Sequence, residues 1–150
     1  MQATGRAFLL LGAALFVAGA PRLARAQGET DATKYVLTMD NLRKLTAVTQ
    51  DMKASSTEVE LDDDDTLAQS VAKIQGNKAA LAALQKVKMT PSDYVLTLTT
   101  YLATAMVVAF QKQDAKFAIP EGVSIKNVEF IRAHWTELDQ MSKQAGLTHP

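Results

Sequence analysis

The chain reads as all-α: an up-and-down four-helix bundle with a broken second helix, preceded by a cleavable signal peptide. Three observations lead there. Tyr94 to Phe110 is a run without charge, Gly or Pro, too apolar on every side to face water, so it belongs inside something. Two further stretches, around residues 35–52 and 124–145, carry apolar residues at spacings of three and four. Aromatics are few while Ala, Leu, Thr and Lys are plentiful, a balance that leans towards helix.

The first 26 residues are expected to lie outside the fold. Arg6 gives a positive start, and Ala7 to Ala20 is an apolar run of signal-peptide length. Ala24-Arg25-Ala26 supplies a small-x-small cleavage site, so the mature chain is expected to begin at Gln27. Left uncleaved, the same run would be a membrane anchor. No twin arginine precedes it, which points to the general secretion route. Residues 27–150 then form one domain, a size able to bury its own core. There is no cysteine, so stability cannot come from disulfides.

Helix one is expected over Thr33 to Ala54, with Tyr35, Met39, Leu42, Leu45, Thr49 and Met52 as its apolar stripe. Ser55-Ser56-Thr57 breaks the pattern. Glu58 to Asp65 follows, six of its eight residues acidic, and reads as an exposed loop leading into a helix N-terminus. Helix two is expected from Thr66 to Ile74 or Gln75. Gly76-Asn77 interrupts it before a second segment, Lys78 to Val87. The central helix starts with Thr90 as N-cap, Pro91 in the first helical position and Asp93 in the first turn. Its polar end is Gln111 to Asp114. Phe117 and Ile119 are expected to lid one end of the core. Ser124 opens a last helix running to Ala145, with Gly146 as a left-handed stop. Tyr35-Val36-Leu37-Thr38 recurs as Tyr94-Val95-Leu96-Thr97, each expected at the start of a helix. Four matched residues do not make a duplication.

Function is much less legible. Loss of Arg6, Arg22 and Arg25 with the leader leaves 13 basic against 16 acidic residues, a formal charge of −3, with no basic stripe. Nucleic acid is therefore not an expected partner. Cys nucleophile, Gly-x-Ser-x-Gly, His-Glu-x-x-His and Gly-rich phosphate loop are all missing, so we expect no enzyme. The consecutive acids Asp62 to Asp65 lack the alternate spacing and turn glycine of a calcium loop, and read as solvated. Thr97, Thr99, Thr100 and Thr104 are expected to bond back to carbonyls one turn earlier.

His134 is expected on the inner edge of the last helix with Phe130 and Met141. Met39 and His134 together resemble the Met/His axial pair of b-type bundle cytochromes, a resemblance that would imply haem between facing helices. Spacing argues the other way: the two sit about 8 Å out of level at 1.5 Å per residue. No Cys-x-x-Cys-His is present for covalent haem, and no cofactor or metal is expected. The Leu-Thr-x-x-Gln motif of small periplasmic stress chaperones is not met, since Gln50 falls one position late after Leu45-Thr46.

Two function classes follow. One is a periplasmic or extracellular interaction or scaffold protein, acting through a helix face or the acidic loop on a protein partner. The other is a carrier of a small apolar or amphipathic molecule, held among Met39, Tyr94, Tyr101, Met106 and His134. A carrier needs an apolar void; a scaffold needs a closed core and an exposed apolar patch. If the other helices leave one side of the central helix bare, that side predicts a homodimer.

Overall fold

The computed structural model describes residues 34–62 and 64–144. The expected leader, its cleavage site, Asp63 and the Gly146 stop lie outside the described residues. Among these residues the protein is all-helical, with six helices and no strand: α1 Met39–Ala54, α2 Leu67–Gly76, α3 Lys78–Lys86, α4 Pro91–Gln113, α5 Ile125–Ala133 and α6 Trp135–Gln144.

Local chemistry explains most of the boundaries. The Thr90 hydroxyl accepts from the Asp93 backbone N–H at 3.0 Å, and Pro91 occupies the first turn of α4, where its missing N–H costs nothing. At α2, Thr66 and Gln69 form a reciprocal capping box. Asn77 both ends α2 and begins α3, its Oδ1 accepting from Ala79 N–H at 3.1 Å and Ala80 N–H at 3.0 Å. The break therefore falls at Gly76-Asn77, as the sequence suggested. In the turn from α4 to α5, Gly122 has φ +88°, a left-handed conformation that a side chain would strain.

Two expected helices differ. The first begins at Met39, not Thr33, because Thr38 caps it, accepting from Asn41 N–H at 3.2 Å. Residues 35–38 are a strap outside any helix, with Leu37 buried and Val36 60 % exposed. The last helix, expected to be unbroken, is two, with His134 at the joint.

The core gathers around α4, which packs against α1, α2, α3 and α5. Eight of its residues are buried: Tyr94, Val95, Thr97, Tyr101, Thr104, Ala105, Val107 and Val108. Around them close Val48 and Leu45 from α1, Ile74 from α2, Leu84 from α3, Val128 and Ile131 from α5, and Leu138 from α6. Each large aliphatic chain sealed here contributes about 1.5–3 kcal/mol. Phe117 and Ile119, the expected lid, are partly buried against this core.

Candidate functional site

Two features of α4 differ from a plain core helix. The first is its outer face. Leu102 and Phe110 are 55 % and 41 % exposed, and Met106 between them is only half-buried. Positions 102, 106 and 110 are four apart, so they form one stripe along the helix. Partly buried Thr99, Ala103 and Ala109 flank it. Phe117 extends it beyond the helix, its ring stacked on Phe110 with centroids 5.0 Å apart. By length and composition α4 could also cross a membrane, with mean hydropathy 1.4 over its most apolar window, 44 % of which is buried. A core helix satisfies the same criterion.

The second feature is a polar clasp at the other end. The strap is held by Asn127, 1 % exposed on α5. Its Oδ1 accepts the Leu37 N–H at 3.0 Å, and its Nδ2 donates to the Tyr35 carbonyl at 2.8 Å. One amide thus satisfies a donor and an acceptor on backbone that no helix ladder serves. The Tyr35 hydroxyl meets Thr97 Oγ1 of α4 at 2.7 Å and accepts from Asn41 Nδ2 at 2.8 Å. The strap is therefore tied to α1, α4 and α5 together. Sequence reading did not single out Asn127, although it shares a three-and-four-residue stripe with Ile131, His134 and Leu138 and so sits on the core side.

The residues singled out for a ligand are placed as follows. Tyr94 and Tyr101 are in the core. Burial pushes the Tyr94 phenol above its ordinary value, against the pull of a hydrogen bond with the Thr49 side chain. Burial does the same to Tyr101, with the nearby Asp139 charge adding and a hydrogen bond to Ser142 at 3.4 Å opposing. Met106 lies in the outer stripe. Met39 is the first residue of α1 and half-buried. His134 sits in the α5–α6 joint, its side chain 40 % exposed and its ring 4.7 Å from that of Phe130. Glu137 Oε2 stands 4.0 Å from its Nδ1. None of the five lines either of two clefts found among the described residues, one of about 710 Å³ beside the Glu58–Glu60 segment and one of about 420 Å³ at the end of α4.

The acidic loop carries its own cation. Lys73 of α2 donates to Asp62 at 2.5 Å and Asp65 at 2.6 Å, and the Asp62 N–H also donates to Asp65 at 2.9 Å. The hydrogen bond from Lys73 is the main reason the Asp65 carboxyl lies below its ordinary value, and Lys73 is raised in turn, chiefly by Asp62. Among the described residues, no three His, Cys, Asp or Glu side chains are grouped to hold a metal. Of the four threonines, Thr99 does bond back, to the Val95 carbonyl at 2.9 Å. Thr97 instead meets Tyr35. Among the described residues the Thr100 and Thr104 hydroxyls have no hydrogen-bond partner, and Thr104 is 1 % exposed.

No family model, curated protein or solved structure matches this chain. Its function must be argued from its own surface.

Proposed function

We propose that this is an exported interaction protein, a four-helix bundle that works by pairing through the outer stripe of α4. In this reading α2 with α3 and α5 with α6 are two broken rods, α1 and α4 the unbroken ones, and residues 1–26 the signal peptide removed on export. The observation that carries the functional part is the exposure of Leu102 and Phe110 on the most apolar helix among the described residues. A helix with an uncharged side left open beside a closed core fits a contact surface better than a cavity lining. Tyr94 and Tyr101, two of the five expected pocket residues, are engaged with core neighbours, so the carrier reading has less support. We assign no catalytic step.

The occupant we favour is a second copy. A twofold contact sets identical stripes against each other, and a stripe with no charge between positions 94 and 110 is self-complementary. Around a twofold axis perpendicular to α4, the two helices run antiparallel, so the Asp93-bearing start of each lies towards the Lys112-bearing end of the other. Sealing half-exposed Leu102, Met106 and Phe110 on each copy contributes on the order of 1 kcal/mol per side chain. Sedimentation velocity across a wide concentration range tests this. We expect a dimer that Leu102→Glu with Phe110→Glu converts to monomer. A native protein that stays monomeric at high concentration, or a dimer the two substitutions leave intact, rules the reading out.

A further inference from the structure

The outer stripe of α4 has a methionine at its centre. Of the six methionines, Met1 lies outside the described residues. Met52 and Met89 are buried. Met39 and Met141 are partly buried and pack against the core. Met106 belongs neither to the core nor to the side chains packed on it, so its thioether lies on the open side of α4, between Leu102 and Phe110. The chain has no cysteine, so no thiol competes for an oxidant.

We propose that Met106 is an oxidation site whose modification by peroxide releases the α4 contact, an inference that rests on pairing through this stripe. The thioether sulfur attacks one oxygen of hydrogen peroxide and the O–O bond breaks. The proton on the transferred oxygen passes to the departing hydroxide, which leaves as water. Sulfur gives up two electrons to become the sulfoxide, and the peroxide is reduced. The product carries a strong hydrogen-bond acceptor where the thioether had a weak one. No charged donor lies between positions 94 and 110, and the flanking Thr99 hydroxyl already donates to the Val95 carbonyl at 2.9 Å. Sealed against a second copy, the new oxygen is therefore dry and unpaired; in the monomer, water serves it. A twofold contact brings two such oxygens, one from each copy. At about tenfold for each buried acceptor left without a donor, the pair weakens about a hundredfold. Pairing in turn covers the sulfur, so the monomer is the form that reacts.

Hydrogen peroxide is applied to the native protein at low and at high protein concentration. Peptide mass spectrometry locates the sulfoxides, and sedimentation velocity follows once the peroxide is removed. We expect Met106 to take up oxygen ahead of Met52 and Met89, and more slowly in the concentrated, paired sample. The oxidised protein should need about a hundredfold higher concentration to pair, with its helix content by circular dichroism unchanged. Met106→Leu should pair like the native protein and stay paired after the same treatment. Met106→Gln, which sets a polar amide in the stripe without any oxidant, should weaken pairing in the same direction. An untreated native protein that is monomeric overturns the pairing and this proposal together. A dimer that persists with Met106 fully oxidised, or a treated Met106→Leu that dissociates as the native protein does, overturns this proposal and leaves the pairing standing.

Discussion

Replacing Asn127 tests whether the strap is part of the fold or merely lies on it. Asn127→Leu keeps the size of the side chain and removes both hydrogen bonds to the strap, at 3.0 and 2.8 Å. The two losses differ in kind. The Tyr35 carbonyl is only partly buried, so water can replace its donor, and that bond is worth about 1 kcal/mol. The Leu37 N–H is buried beside a side chain that is 2 % exposed, so it is left dry and unpaired, at about 1–3 kcal/mol. Together the variant should lose roughly 2–4 kcal/mol, a large share of a domain's 5–15 kcal/mol. Urea unfolding at fixed protein concentration gives the stability, and hydrogen exchange at the Leu37 amide localises it. Asn127→Asp separates the two bonds: it can still accept from Leu37, cannot donate to Tyr35 when ionised, and buries a charge, so it should be unstable at neutral pH and partly recover in mild acid. If Asn127→Leu unfolds within about 0.5 kcal/mol of the native protein and Leu37 exchanges no faster, the clasp contributes nothing and the reasoning fails.

Other expectations follow from single groups. Thr104→Val should stabilise the protein by on the order of 1 kcal/mol in urea melts, because it removes a buried hydroxyl without a partner and keeps the shape; a loss of stability would mean that the hydroxyl is satisfied. Burial holds the Tyr94 phenol neutral beyond its ordinary value of 10.0, so its contribution is complete below about pH 10 and is lost as pH rises above that; Tyr94→Phe should flatten the alkaline limb of thermal stability. Asp65 behaves in the opposite sense. Lowered mainly by Lys73, it stabilises the fold above its ordinary 3.8 and ceases to do so as pH falls further, so Lys73→Met should shrink the acid limb below that value.

How far residues alone reveal structure is clearest where one tetrapeptide occurs twice. Tyr-Val-Leu-Thr is helical at 94–97 and outside any helix at 35–38. Its own propensities cannot decide between these. At the later site Thr90, Pro91 and Asp93 have already started a helix. At the earlier one Thr38 is itself the cap of the next helix, and Asn127, ninety residues on from Leu37, claims the backbone. The cap at Thr90 and the break at Gly76-Asn77 were legible because each is local chemistry within a few positions. The capping box at Thr66 was not, and the sequence pattern places Thr66 as the first residue of its helix rather than its cap. The break at His134 was not, since no Gly or Pro marks it and the apolar spacing runs through it.

The candidate contact surface was legible in part. An uncharged helix announces that it must be covered, but which side stays open depends on how many neighbours the remaining chain can supply. Here α1, α2, α3 and α5 cover one side and leave Leu102, Met106 and Phe110 on the other.

Pairing through α4 is tested most directly by a covalent trap. The chain has no cysteine, so Ala103→Cys places a single thiol beside the stripe, and Lys53→Cys places one on an exposed position of α1 as control. Under mild oxidation at micromolar concentration, the account predicts fast disulfide-linked dimer for position 103, slow linkage for position 53, and loss of the difference when Leu102→Glu is added. Equal and slow linkage at both positions would contradict it.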